Sequence, residues 1–273
     1  MNKIVAAVVA GLLAATPIAA FAQDYGRYSD AAAQTELSRL ADVQMAVMVP
    51  MRDGVGLATN VYRPKNASGP LPTVFVRTPY NELAYNARTT RSALSWVSKG
   101  YAFVIQNERG RYFSGGDYQI LGYPQTDGYD ALTWIAAQPW SNGKVGTLGC
   151  SSSAEWQLAL AAQNPPAHAA MVPQASGAGI GKVGRFQEQG HWYTGGVPRN
   201  LFFVWLYGVD NPQRAQIPMD SDQETRARIV RYNDLDAKKP DVNWPSQIRH
   251  LPVNEMLKDL GEPAGTFEEL IAR

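Results

Sequence analysis

The chain has 273 residues, with 25 Lys and Arg against 24 Asp and Glu and a formal net charge of +1. That balance excludes the strongly basic surface of a nucleic-acid binder, and a single cysteine excludes a disulfide framework or a cysteine-rich zinc or iron–sulfur site. At this length, with 45% apolar residues, one or two domains around a sizeable core are expected.

Met1–Ala22 has the pattern of a secretory signal peptide. Lys3 is the charged start, Ile4–Ala15 the apolar stretch, and Ala20-Phe21-Ala22 the small-x-small cleavage site before Gln23. The stretch is too short to span a bilayer, so the expected destination is secreted or periplasmic, with no membrane contact after cleavage. Leu201–Val209 is apolar but also too short to span. A helix is expected within Gln23–Ala41. Strands at Val43–Met51 and Leu57–Arg63 should form a hairpin around Arg52-Asp53-Gly54, since Asp-Gly between two such runs favours a tight turn. Buried strands follow at Thr73–Arg77, Tyr101–Gln106, Lys144–Gly149 and Ala169–Pro173. Helices at Ser92–Lys99, Asp127–Gln138 and Ala154–Gln163 separate them. Alternating strands and helices predict an α/β fold, a mostly parallel sheet covered on both faces with an antiparallel N-terminal hairpin. After Ser176 the alternation stops and helical stretches follow at Asp222–Asn233, Pro252–Leu260 and Thr266–Ile271.

The stretch with chemical content is Gly149-Cys150-Ser151-Ser152-Ser153-Ala154, where a strand gives way to a helix. A serine in that turn presents its hydroxyl above the sheet, and the next backbone N–H, at a helix start, can meet a developing oxyanion. Position 153 is Ser where the strict G-x-S-x-G pattern has Gly, so spacing alone leaves an ordinary helix-capping turn equally open. Cys150 should face the strand–helix packing as a small apolar residue. The three histidines, His168, His191 and His250, have no metal-binding spacing, and neither a metal nor a cofactor is expected.

Further motifs occur in order along the chain. They are Pro50–Gly54 with Leu57–Pro64, Arg77-Thr-Pro-Tyr-Asn81, Gly100–Gln106, Arg109-Gly-Arg111 with Ser114-Gly115, Asp127-Gly-Tyr-Asp130, and Trp134–Gly149. Together they resemble the α/β-hydrolase superfamily of Xaa-Pro dipeptidyl-peptidases, cocaine esterase and α-amino-acid ester hydrolases, over about residues 43–175. The resemblance implies that Ser151 is the acyl-enzyme nucleophile. It implies an oxyanion hole made by the Tyr80 hydroxyl and the backbone N–H of Ser152. Taken alone, Tyr80 reads as a loop tyrosine packed on the sheet. Arg109 matches a position near the site floor and reads as an ion pair ordering its loop.

The departures are as informative. Ser152 stands where the family has Tyr, and Asn107 where it has Asp. The resemblance also implies a longer chain, in which a helical cap is followed by more sheet carrying the catalytic Asp and His. The expected organisation is therefore a signal peptide (1–22), the N-terminal part of an incomplete α/β-hydrolase domain (23–176), and a partial helical cap (177–273). The sheet should stop at Ala169–Pro173 with an unpaired edge. His168 should lie at the bottom of the sheet and His250 belongs to a late linker; His191, flanked by aromatics, reads as a structural or substrate-pocket residue and is also the best stand-in base. Glu188 is the acid nearest the start of the cap. Trp192, Tyr193, Phe202, Phe203 and Trp205 read as cap core or an acyl pocket. The function expected is serine hydrolysis of an ester or amide in a small molecule or short peptide, by a truncated chain lacking the triad Asp and His. A complementing C-terminal fragment is then a candidate partner. A non-catalytic binding module of the same fold and a compact hydrolase using His191 are the alternatives.

Overall fold

The computed structural model describes residues 30–83, 87–119, 123–176, 193–194, 197–209, 215–233 and 241–261. Residues 1–22, read from the sequence as a signal, and Glu188, His191, Trp192 and the helix expected at Thr266–Ile271 lie outside the described residues. Helix α1 (Asp30–Leu40) leads into β1 (Ala41–Pro50) and β2 (Gly56–Pro64). These two strands form the antiparallel hairpin read from the sequence. At its turn Gly54 has φ 83°, and the Asp53 carboxylate accepts from the Val55 N–H at 3.2 Å. Asp-Gly supplies both of these features, a side-chain acceptor and a left-handed residue.

Then follow β3 (Leu71–Thr78), α2 (Ala87–Val97), β4 (Ala102–Asn107), a π-helical turn (Pro124–Gly128) running into α3 (Tyr129–Ala136), β5 (Ser141–Cys150), α4 (Ser152–Ala161) and β6 (His168–Gln174). The six strands lie in the order β1-β2-β4-β3-β5-β6. β3, β4, β5 and β6 are mutually parallel, and β2 meets β4 antiparallel. Side chains alternate between two cores, as the pleat requires. Tyr62, Val74, Phe103 and Ile105 face α1 and α2, whereas Val61, Phe75 and Val104 face α3 and α4. Trp156 anchors α4 there, edge-on to Phe75 at 5.7 Å with its indole N–H donated to the Arg77 carbonyl at 3.1 Å.

β6 forms one edge of the sheet. Met171 and Val172 are 41% and 49% exposed, as expected of an edge that nothing described here covers. Beyond it lie a two-stranded ribbon, β7 (Tyr193–Thr194) and β8 (Val197–Pro198), then α5 (Asn200–Val209), α6 (Gln223–Tyr232), and the short α7 (Trp244–Gln247) and α8 (Met256–Asp259). Ile217 and Val230 join the core of α1 and β1, so residues 215–233 pack on the sheet domain itself.

Candidate active site

The chain turns sharply at Ser151, between β5 and α4, where φ is 59° and ψ −132°. A non-glycine residue seldom adopts such a conformation, and one that does costs about 1–3 kcal/mol unless its surroundings hold it there. The surroundings do hold it. The Ser151 N–H donates to the Gln174 carbonyl at 3.0 Å, and its carbonyl accepts from the Ala154 N–H at 2.7 Å. A Cβ on Gly149 would lie 1.9 Å from the Ser153 carbonyl oxygen, so only glycine lets strand and helix cross this closely. Ser151 is exposed, and Ser152 is buried at the first position of α4, where an N–H has no partner within its own helix.

Cys150 departs from expectation: it is exposed. Successive strand residues point to opposite faces. Gly149 is the residue that meets α4, so Cys150 points away from that packing. Ser153, the departure from the strict pattern, is accommodated and used, because its hydroxyl donates to Thr78 Oγ1 at 2.9 Å.

Tyr80 lies just beyond the C-terminal end of β3, the strand paired with β5, so the two adjacent parallel strands deliver Tyr80 and Ser151 at the same end of the sheet. Its N–H donates to Thr78 Oγ1 at 3.2 Å, and its carbonyl accepts from Asn107 Nδ2 at 2.9 Å. A carboxylate at position 107 would have no proton to donate to that carbonyl, so the Asn has a structural reason here. The Tyr80 hydroxyl accepts from Trp205 Nε1 at 3.2 Å. Trp205 thus acts as a hydrogen-bond donor to the site, a role its sequence context as cap core or acyl pocket did not suggest. Tyr193 lies in β7, and Phe202 and Phe203 in α5.

A charged cluster, buried in part, gathers around Arg77, Glu108, Arg109 and Asp127. Arg109 grips Asp127 with two bonds of 2.7 and 2.8 Å and reaches Asp53 at 2.8 Å. It is the loop-ordering ion pair expected. Its bonds to Asp127 hold its own proton more tightly and its bond to Asp53 pulls that carboxyl down. Arg52 similarly binds Asp130, through its backbone N–H and its guanidinium. Arg77 is fully buried, 3.4 Å from Asp127; desolvation lowers its pKa, opposed by Glu108 and Asp127. Sequence reasoning missed Glu108. Its carboxylate is fully buried with no hydrogen-bond partner, and burial pushes its pKa up to about 7 against the pull of Arg77 and Arg111. The only sequence signal was a glutamate directly after an apolar strand.

The described histidines are engaged by partners other than Ser151. His168 starts β6, bonds Thr147 Oγ1 at 2.9 Å and is shifted down by burial. His250 has both ring nitrogens engaged, with the Pro252 carbonyl at 3.2 Å and Asp259 at 2.7 Å. Among the described residues, no three His, Cys, Asp or Glu side chains are grouped to hold a metal ion. A cavity of about 740 Å³ lies apart from the elbow, between α1, β1, α2 and the end of α6; Ser151, Ser152 and Tyr80 do not line it.

A parallel sheet with an antiparallel hairpin, and a strained serine at a strand–helix elbow, define an α/β-hydrolase fold. Residues 53–261 match the family described as X-Pro dipeptidyl-peptidase (S15 family), and the chain belongs to that family. Cocaine esterase from Rhodococcus sp. (strain MB1 Bresler) is 44% identical over 118 residues, covering 42% of this chain and 20% of that protein. An α-amino acid ester hydrolase structure superposes with TM-score 0.53 and 26% identity, over 77% of this chain and 34% of the other. A CocE/NonD family hydrolase from Staphylococcus aureus gives TM-score 0.54 and 25% identity, over 64% of this chain and 35% of the other. The chain thus spans about a fifth of the length of the cocaine esterase and about a third of each of these structures.

Proposed function

We propose that this chain carries the nucleophile and oxyanion hole of a serine hydrolase acting on an ester or amide of a small molecule or short peptide. The carrying observation is the Ser151 backbone, held at φ 59° on a turn that only Gly149 permits. In this reading Ser151 Oγ attacks the carbonyl carbon and its proton passes to a base. The carbonyl oxygen becomes an oxyanion that accepts from Tyr80 Oη–H and Ser152 N–H. Collapse expels the alcohol or amine, and water then releases the acyl group by the same route. Because Trp205 donates to the Tyr80 oxygen, the phenol keeps its own proton for the oxyanion.

His168 and His250 are engaged elsewhere, so the base belongs outside the described residues, on His191 or on a complementing partner. Without such a base turnover is slow, because an unactivated serine is a weak nucleophile. The same engagement of both histidines favours, as second reading, a binding module of this fold without catalysis. We assign residues 1–22 as a signal removed on export to the periplasm, 23–176 as the hydrolase portion and 177–273 as partial cap. N-terminal sequencing of exported protein should begin at Gln23, and an intact Met1 would refute the cleavage assignment.

The test of the chemistry is a serine-directed phosphonate probe. It is incubated with the full chain, alone and mixed with the C-terminal part of an S15-family relative. The adduct should map to Ser151 and vanish in Ser151→Ala. Labelling that persists in that variant, or no adduct in either mixture, overturns the proposal.

A further inference from the structure

We propose that Arg111 is a positioning residue for the Tyr80 hydroxyl, a buried strut tying the loop that carries Tyr80 to the helix that carries Trp205. The inference rests on reading Tyr80 as the oxyanion donor.

The Arg111 side chain is almost wholly enclosed, with the residue 2% exposed. Its Nε donates to the Pro79 carbonyl at 2.9 Å, and a terminal nitrogen donates to the Val209 carbonyl. Pro79 directly precedes Tyr80. Val209 lies four residues beyond Trp205 on α5, one turn along the same helix face. The strut therefore closes a ring: Arg111 to Pro79, Tyr80 to Trp205, then along α5 to Val209 and back to Arg111.

Each link has a fixed direction. The guanidinium is planar and presents its N–H groups in a rigid fork. It lies 4.8 Å from the centre of the Tyr112 ring and 5.2 Å from that of Tyr118, contacts that restrict its plane. The second ring is in place because the loop folds back at Gly110, where φ is 70° and a Cβ would lie 2.1 Å from the Tyr118 nitrogen. Asn107 holds the Tyr80 carbonyl. With its backbone clamped on both sides, Tyr80 has only its side-chain torsions left, and Trp205 sets where the hydroxyl stops. Release of the strut lets α5 shift against the loop, carrying the Trp205 donor away from the Tyr80 oxygen. An oxyanion donor acts only where the charge develops, so a small shift is enough to weaken it.

The test uses the indole N–H signals of the seven tryptophans in a ¹⁵N spectrum of the full chain. Trp205→Phe identifies the Trp205 signal, and Tyr80→Phe shows its position when the partner oxygen is absent. Arg111→Met should move the Trp205 signal toward that position. It should leave the Trp156 signal, bonded to the Arg77 carbonyl, unchanged. Arg111→Lys, which can reach one carbonyl but not both, should fall between. Arg111→Met should also slow phosphonate labelling of Ser151 about ten- to hundredfold, the scale of a displaced catalytic group, with no further slowing in a Tyr80→Phe background. A folded Arg111→Met with an unmoved Trp205 signal overturns the proposal. So does equal slowing with and without the Tyr80 hydroxyl, or loss of the fold in both variants, which would make Arg111 a stability element alone. If wild-type Ser151 never labels, the hydrolase reading fails, while the indole signals still decide whether Arg111 positions Tyr80.

Discussion

Replacing Glu108 by Gln should change how stability depends on pH. The carboxyl is fully buried, faced by Arg77 from β3, Arg111 from its own loop, Asp127 from the π-helical turn and Glu155 from α4. Burial is the largest influence and raises its pKa from 4.5 to about 7. A carboxyl with a raised folded pKa binds its proton more tightly in the folded chain. Its contribution is fully present below about pH 4.5 and is lost as pH rises through about 7. At about 1.4 kcal/mol per pKa unit, the loss across that window is about 3 kcal/mol. Gln keeps the volume and cannot ionise, and since neither carboxylate oxygen has a hydrogen-bond partner, no existing bond is broken. Urea unfolding of both proteins between pH 4.5 and 8.5 isolates the effect, because other titrating groups such as His168 cancel in the difference. Glu108→Gln should gain about 2–3 kcal/mol on the wild type from the acid to the alkaline end. Differences that stay constant with pH, within about 0.5 kcal/mol, the usual scatter for additive sites, would refute the reasoning.

Gly149→Ala must displace the α4 backbone, because the Ser153 carbonyl oxygen would lie 1.9 Å from the new Cβ. A loss of about 2–4 kcal/mol is expected. Gly69→Ala, which meets nothing within 4 Å, should be neutral or slightly stabilising in the same denaturation assay. Ser151→Gly should relieve the strained φ of 59° and raise the melting temperature, by about 1 kcal/mol of stability, whereas Ser151→Ala should not. Equal melting temperatures for the two variants would show that the turn stores no strain.

Much of this molecule could be read along the chain. The strand–helix alternation, the Asp53-Gly54 hairpin and the elbow register at Gly149 and Ser151 are local patterns, and local sterics determine them. The less legible features depend on partners far apart in sequence. Asp127 and Asp130 looked like motif letters, yet they hold Arg109 and Arg52, the latter from 78 residues away. Trp205 looked like core because composition describes an indole as apolar, and only the fold shows its N–H against Tyr80, 125 residues earlier. Cys150 was misread because the side facing α4 depends on the strand's phase, which Gly149 sets by contact with Ser153. Glu108 carried no periodic signal; its chemistry comes from three other elements closing over it.

The Thr78 side chain accepts from Ser153 Oγ and from the Tyr80 N–H, while its backbone carbonyl accepts from the Glu108 N–H at 2.9 Å. One residue is thus the common pivot of the helix that follows Ser151, the loop that carries Tyr80 and the end of β4. Displacements of these three pieces are correlated. A shift of Thr78 would therefore be passed both to the helix that follows Ser151 and to the loop of Tyr80. A slipped pivot would disturb both pieces of the candidate site at once.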